Sequence, residues 1–245
     1  MPSDVVILKD FTHSPLSTMH FRGARDIYGH VTASDFWLFL RKALINHTGE
    51  RFVLNGYWGK VDSLAHKYGP QDETGTTEIQ VLSMLMKEIF LKKLPAEARE
   101  GTLLLLTADH GQITTPKESS ILLDDHPILR DALMMPPLGE SRAPFLYIRS
   151  GKDHVVWTYL TRTFSDTFAF FRQQAIIQSG LLGPGDLYEE VPHRLGDIVC
   201  PALGNAFWAK DKEHAHKMKG RHGGLLSEEM IVPLLAVRLD RLSLN

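Results

Sequence analysis

The chain contains 245 residues, and its 43% of hydrophobic and 23% of charged residues are typical of a soluble globular protein with a sizeable core. Its 27 basic and 29 acidic residues give a net charge of −2 with histidine neutral, which gives no electrostatic support for binding a nucleic acid polymer or an anionic membrane. We interpret residues 1–245 as a single domain. The lone cysteine, Cys200, excludes an intramolecular disulfide.

Signals for membrane insertion or export are not evident in the sequence. Its apolar runs stay well short of the ~20 residues that a membrane-spanning helix needs. The first residues, MPSDVVILKDFTHS, lack the basic segment and long apolar stretch of a signal peptide. We therefore expect a cytoplasmic protein without a membrane partner.

Four apolar stretches predict strands, at residues 51–58, 103–106, 143–149 and 231–239. The run of four leucines at 103–106 predicts a buried central strand, because a parallel strand that is covered on both faces need not alternate. Pro233 predicts an edge or a bulge in the last strand.

Three predicted helices lie between these strands. The first has Ser34 as its cap and a stripe of Phe36, Leu40 and Leu44, the second covers 77–92, and the third covers 158–179 with Gly180 after its end. Phe164, Phe168 and Phe171 are interpreted as core residues of the third helix rather than as a ligand pocket. Strands that alternate with helices predict an α/β fold with a mostly parallel central sheet and helices on both faces.

Potential metal ligands follow the strand of leucines. Asp109 and His110 come directly after TLLLLTA, at the strand end where open parallel sheets bind ligands. Gly111 would let the backbone turn away from such a site. The alternative is a solvated turn that contains an Asp and a His by chance.

Two further segments carry ligand-type residues. Asp62 and His66 are four residues apart, so in a helix they would share one face and could bind one ion, although they could also be a surface pair. His222 lies in GRHGG, where the glycines permit close backbone approach, although it could also be an ordinary loop histidine. Carboxylate and imidazole ligands without thiolates suit Zn²⁺ or Mn²⁺ in a site that does chemistry.

The order of these motifs resembles the alkaline phosphatase superfamily. D-x-x-x-H, then T-A-D-H-G, then R-H-G-G-L-x-x-E-E-M-I-V-P-L-L is most similar to the type I phosphodiesterase/nucleotide pyrophosphatase branch, and GESRAPFLYIR and RLGDIV also look like members of that branch. The resemblance extends over most of the chain. It implies a hydrolase of phosphodiester or pyrophosphate bonds that acts on a small phosphorylated or nucleotide substrate.

The resemblance also implies a site with two divalent metal ions, most often zinc, with manganese as the alternative. Asp62, His66 and His222 would bind one ion, and Asp109 and His110 would bind the second. In the family, the second ion also contacts an aspartate after the first strand and a nucleophilic Thr or Ser. Arg142 or Arg221 could neutralise a phosphate oxygen, and Arg142 could equally be an ordinary ion-pair residue.

The N-terminal segment departs from the family pattern, because only 61 residues precede Asp62. Asp10 follows an apolar stretch, and four hydroxyl residues lie near it in sequence: Thr12, Ser14, Ser17 and Thr18. We interpret this segment as a poor substitute for the aspartate and the nucleophile of the family. The chain is therefore interpreted as the C-terminal portion of an alkaline-phosphatase-like catalytic domain, with the nucleophile apparently absent. A separate N-terminal fragment or self-association would then be expected to cover exposed sheet surface.

Two other functions are compatible with these motifs. One is a phosphomutase of the same superfamily, because cofactor-independent phosphoglycerate mutases also carry T-A-D-H-G. The other is a non-catalytic metal-binding or interaction fragment that lacks its nucleophile.

Overall fold

The computed structural model describes residues 1–243, which contain thirteen strands and eleven α-helices. The strands are β1 (Ser3–Leu8), β2 (Asp26–His30), β3 (Val53–Gly56), β4 (Leu103–Thr107), β5 (Ile113–Thr114), β6 (Ser120–Leu122), β7 (Leu138–Glu140), β8 (Ala143–Leu146), β9 (Phe171–Arg172), β10 (Ile198–Val199), β11 (Phe207–Ala209), β12 (Gly220–Arg221) and β13 (Leu234–Arg238). The helices are α1 (Pro15–His20), α2 (Ala33–Asn46), α3 (Lys60–Tyr68), α4 (Glu73–Leu85), α5 (Ala96–Arg99), α6 (Pro127–Ala132), α7 (Asp153–Thr163), α8 (Gln173–Gln178), α9 (Val191–Leu195), α10 (Lys212–Lys217) and α11 (Ser227–Met230).

These elements form two compact units. Unit 1 comprises residues 1–63, 73–107 and 233–245, and unit 2 comprises residues 64–72 and 108–232. The boundary passes through α3, between Ser63 and Leu64. Within residues 1–243, none of the helices combines the length and apolar composition that crossing a bilayer requires.

Unit 1 contains a three-stranded parallel sheet in the order β2-β1-β3. Val5 and Val6 make β1 a buried central strand. Helix α2 packs its apolar stripe on this sheet, and Phe36 and Leu40 lie in one cluster with Val6. The predicted α/β class with a parallel sheet is confirmed, and so are the stripe on α2 and the strand after residue 51.

The leucine strand β4 is not buried as predicted. It pairs only with β13 among the described strands, in an antiparallel ribbon in which Leu105 lies opposite Ala236. Leu104 and Val237 pack on the core of unit 1, but Leu105 and Leu234 are 57% and 72% exposed. The apolar run gave the strand correctly but could not show that its second face is uncovered. The last predicted strand is confirmed from Leu234 onwards, after Pro233.

Unit 2 contains an antiparallel sheet in the order β7-β8-β10-β9 and an apolar core of its own. Leu146, Leu160 and Ile198 are fully buried in that core, as is Cys200. Burial raises the pKa of the Cys200 thiol. Strand β8 confirms the start of the strand predicted at 143–149.

The single helix predicted at 158–179 is wrong. Helix α7 ends at Thr163, and the chain then runs through β9 into α8. Phe168 forms a β-bridge with Ala202, and the Ala169 N–H donates to Pro201 O, so this stretch hydrogen-bonds to another segment rather than continuing the helix. Phe164 and Phe168 are core residues as predicted, whereas Phe171 lies in β9 and is 39% exposed. Gly180 follows the shorter α8 with φ +73°.

Two helix boundaries also differ from the prediction. The second predicted helix begins earlier, as α4 at Glu73, and its last part is a π-helical turn over Met86–Phe90. The cap of α2 is Thr32 rather than Ser34. Thr32 accepts from the Asp35 N–H while Asp35 accepts from the Thr32 N–H, which is a reciprocal capping box.

Replacing Thr32 by Ala should therefore lower the free energy of unfolding by about 1 kcal/mol, because one orphan N–H of α2 loses its acceptor. Urea denaturation followed by circular dichroism measures this change. Ser34→Ala is the matched control, and it should change the stability less because the capping box stays intact. Equal losses from both substitutions would contradict the assignment of Thr32 as the cap.

Candidate metal centre

His66 lies in the last part of α3, one helical turn after Asp62, so the predicted helical spacing of the two residues is confirmed. The Nδ1 atom of His66 donates to the Gly220 carbonyl oxygen at 2.8 Å. Because a carbonyl oxygen only accepts, this bond places a proton on Nδ1 and makes Nε2 the atom that would coordinate a metal ion. The Lys219 N–H donates to the His66 carbonyl oxygen at 2.7 Å, which ties β12 to the same turn of α3.

His110 follows β4 as predicted, together with Asp109. Its Nδ1 atom donates to the Gly111 carbonyl oxygen at 2.9 Å, so Nε2 is again the atom available for coordination. Asp109 Oδ1 accepts from the His110 N–H at 3.2 Å and lies 3.9 Å from His110 Nε2. The carboxylate is 57% exposed and the imidazole 28% exposed, so both can be reached from solvent.

His222 joins these two histidines within unit 2. Its ring stacks on that of His110, with centroids 3.6 Å apart and planes at 15°, and its centroid lies 5.1 Å from that of His66. The structure thus brings His66, His110 and His222 together, with Asp109 adjacent to His110 and Asp62 one turn from His66.

Glycines allow the loops around these histidines to pack closely. A Cβ atom on Gly111 would lie 2.0 Å from the Glu228 carbonyl oxygen, so this position has no space for a side chain. Gly223 has φ +97° and lies against Glu140, and a Cβ on Gly224 would lie 2.6 Å from a carboxylate oxygen of Glu229. The predicted close backbone approach around His222 is confirmed, whereas Gly111 is required for space rather than for a positive φ.

Neither candidate arginine is available to bind a phosphate oxygen. Arg142 is fully buried and its guanidinium bonds to Glu229 and to two main-chain carbonyl oxygens. Arg221 is 2% exposed, donates to Thr115 Oγ1 at 2.7 Å and lies over the ring of Phe207. Burial lowers the pKa of Arg221 to about 10, which still leaves it charged at neutral pH. The ion-pair interpretation of Arg142 is therefore confirmed.

The N-terminal hydroxyls have local structural roles. Ser14 Oγ accepts from the Ser17 N–H and caps α1, and the Ser17 hydroxyl lies 2.9 Å from Ser14 Oγ. Thr18 Oγ1 donates to the Ser14 carbonyl oxygen, and Thr12 Oγ1 donates to the Lys9 carbonyl oxygen. These bonds complete a helix start and a turn.

A sequence model of one family, type I phosphodiesterase / nucleotide pyrophosphatase, matches residues 1–225. The chain belongs to this family. The comparison with curated proteins gave no match.

Several solved structures share the fold of this chain. Murine ectonucleotide pyrophosphatase/phosphodiesterase 5 aligns with a TM-score of 0.68 and 18% identity over 96% of this chain and 60% of its own. The human protein aligns with a TM-score of 0.66 and 19% identity over 96% and 59%. Phosphonoacetate hydrolase from Sinorhizobium meliloti 1021, in complex with phosphonoformate, aligns with a TM-score of 0.60 and 16% identity over 96% and 64%. The chain therefore spans about 60% of the length of the first of these structures.

The chemistry of the donor set fits the divalent ions on which this family generally depends. Histidine ligands usually have one ring nitrogen held by a carbonyl or carboxylate, and His66 and His110 both show this arrangement. The sequence had given no sign of Arg142 pairing with Glu229 beneath the two loops. The two residues are 87 positions apart, and the sequence analysis named Arg142 but not Glu229.

Replacing Gly111 by Ala should lower the free energy of unfolding by about 1–3 kcal/mol, because the new methyl group must displace the backbone at Glu228. Thermal and urea denaturation measure the loss. Gly75→Ala is the matched control: a Cβ there meets nothing within 4 Å, so alanine in the first turn of α4 should not lower the free energy of unfolding. A Gly111→Ala variant as stable as the native chain would show that the loop is not as tightly packed as described.

Proposed function

We propose that this chain carries most of the metal centre of a hydrolase of phosphodiester or pyrophosphate bonds. Asp62, His66 and His222 would bind one divalent ion, and Asp109 and His110 a second, with zinc as the preferred metal and manganese as the alternative. The convergence of three imidazoles, two with Nδ1 held by a main-chain carbonyl, is the observation that supports this proposal best.

Divalent ions at such a centre polarise phosphoryl oxygens and lower the pKa of a bound hydroxyl or water. The imidazoles and carboxylates of this chain would hold these ions through nitrogen and oxygen atoms. The proposed substrates are small phosphorylated molecules or nucleotides. In support, an inactive variant of the murine relative was solved in complex with AMP, and the phosphonoacetate hydrolase was solved with phosphonoformate. The family match favours this function over a phosphomutase.

We also propose that the nucleophilic hydroxyl comes from a polypeptide segment outside these 245 residues. Supporting this, the four hydroxyls after β1 are engaged in local turns and caps. The family match spans residues of both units, which supports the proposal that they belong to one catalytic domain. The cytoplasmic location stays a prediction.

The exposed face of the β4–β13 ribbon is the proposed docking surface for that segment. Leu103, Leu105 and Leu234 lie on this face and are 57–72% exposed, although the sequence of β4 is that of a strand covered on both faces. About 40% of the murine relative's chain lies outside the part that this chain covers, which is enough polypeptide to provide the missing cover. When the isolated chain is purified, the same surface should pair with a second copy instead.

Calorimetric titration of metal-free protein with Zn²⁺ should give one tight site and a second weak one, because the second ion has only two ligands from this chain. His222→Ala should weaken the tight site by more than the ~100-fold that loss of an outer-shell partner can cause. A chromogenic phosphodiester should be hydrolysed barely above background, since loss of a nucleophile can cost about 10⁶ in kcat.

His216→Ala is the matched control, because His216 is an exposed histidine of α10 in the same unit. It should bind Zn²⁺ like the native chain. Failure of the native chain to bind any Zn²⁺ or Mn²⁺ would overturn the metal centre and favour a non-catalytic interaction fragment. Two tight sites with rapid turnover that His222→Ala abolishes would show instead that the chain supplies its own nucleophile.

The docking surface predicts that the isolated chain self-associates with increasing concentration, and that Leu105→Glu with Leu234→Glu makes it monomeric. Light scattering coupled to size-exclusion chromatography measures the mass directly. The control is Leu16→Glu with Met19→Glu, two apolar residues of α1 that are 72% and 69% exposed. A chain that stays monomeric at all concentrations, or an equal effect of the control pair, would contradict this use of the ribbon.

A further inference from the structure

Glu229 contacts both loops that carry the clustered histidines of unit 2. Its main-chain carbonyl oxygen accepts from the Gly111 N–H at 2.8 Å, one residue after His110. Its carboxylate oxygen Oε1 accepts from the Gly224 N–H at 2.9 Å, two residues after His222. One residue of the short helix α11 therefore joins the backbones of two loops that are more than a hundred positions apart in sequence.

The carboxylate of Glu229 is held in turn by Arg142. Arg142 Nε donates to Oε1 at 3.0 Å and Nη2 donates to Oε2 at 2.5 Å, a bidentate pair in which the two side chains are 0% and 1% exposed. The remaining Nη1 atom donates to the carbonyl oxygens of Gly204 and Ala206, both at 2.6 Å. The guanidinium thus fixes the carboxylate in one orientation.

This arrangement leaves the histidine loops little freedom. The Gly111 backbone cannot move toward α11, because the Glu228 carbonyl oxygen already occupies the space of a side chain there. A Cβ on Gly224 would lie 2.6 Å from the Glu229 carboxylate, so this loop also has no space for a side chain. Glu229 therefore holds the backbone near each ring of the stacked pair His110 and His222, whose centroids are 3.6 Å apart. It does so through its carbonyl bond to Gly111 and its carboxylate bond to Gly224.

We propose that Arg142 and Glu229 are positioning residues that set the spacing of His110 and His222 and so the geometry and affinity of the metal centre. This inference rests on the proposed function. It assigns a role in that function to two residues that cannot touch a metal ion or substrate themselves, because both side chains are buried and hydrogen-bonded to each other. A purely structural pair would stabilise the fold without changing how a bound ion is coordinated.

The test uses the full chain loaded with Co²⁺, whose visible spectrum reports coordination geometry, and competition with a chelator for Zn²⁺ affinity. Glu229→Gln keeps the shape of the side chain but removes its charge and one acceptor. It should weaken Zn²⁺ binding by roughly 10–100-fold, the range for loss of an outer-shell partner, and should change the Co²⁺ spectrum. Arg142→Lys should do the same, because lysine keeps the charge but not the bidentate contact.

A second variant separates loss of the positioning contacts from loss of folding. Replacing a buried ion pair by apolar residues of similar size often preserves stability, so Arg142→Met combined with Glu229→Met should fold and melt near the native temperature. Its Zn²⁺ affinity should still fall 10–100-fold, since Gly224 loses its acceptor. Leu160→Ala is the opposite control: it removes fully buried core volume in unit 2, so it should lower the melting temperature while leaving the Co²⁺ spectrum native.

The outcomes separate this inference from the function on which it rests. Native Zn²⁺ affinity and a native Co²⁺ spectrum in the Met/Met variant would overturn the positioning role and leave the metal centre intact. Loss of affinity in Leu160→Ala to the same degree would also overturn it, because affinity would then only follow stability. A native chain that binds neither ion would overturn the metal centre itself and the positioning role with it.

Discussion

The contact between the Gly111 backbone and the carbonyl groups of Glu228 and Glu229 constrains the arrangement of unit 2 around it. An N–H donates across this contact at 2.8 Å, and a carbonyl oxygen occupies the place where a Cβ would be. Only glycine permits such an approach, so the residue before it, His110, has one position relative to α11. The loop of His222 meets α11 through the same glutamate, and the ring stack follows from the two contacts together.

Holding two loops by a buried charge pair carries a large desolvation penalty, because both charged groups lose their hydration when the chain folds. In this protein the remaining donors of Arg142 reach main-chain carbonyl oxygens, so the guanidinium keeps four hydrogen bonds in place of water. Such a fully satisfied network favours one arrangement of the backbone over slightly displaced ones. An apolar contact of the same size would pack as well but would not specify orientation, which is what coordination by rigid imidazoles requires.

Local sequence patterns predicted the helices and strands of this protein better than they predicted the residues that cap or cover them. The stripe on α2 and the spacing of Asp62 and His66 follow from a helical period, and both were predicted. The cap was misassigned by two residues, because Thr32 and Ser34 are both good caps and only the reciprocal bonds with Asp35 distinguish them. Phe164 and Phe168 keep a helical spacing although α7 has ended, because the same core attracts both side chains.

The candidate site was predictable as a set of residues but not as a structure. Motif order identified the ligand-type residues around Asp109 and His222, since the chemistry of a metal ion restricts which side chains can serve. The support beneath them depends on Glu229 meeting Arg142 across 87 positions, and local periodicity carries no information on such a pairing. The cover of β4 was likewise unpredictable, because an apolar run records that a strand is to be buried but not which polypeptide buries it.

The position of Cys200 has a practical consequence for studying the motion of the histidine loops. It is the only thiol of the chain, it is buried in the core of unit 2, and its raised pKa disfavours the thiolate that reacts with maleimides. A cysteine introduced at an exposed position can therefore be labelled selectively while Cys200 stays in place. Spin labels or fluorophores could then follow the loops in the native sequence background, without a cysteine-free variant that would leave a hole in the core.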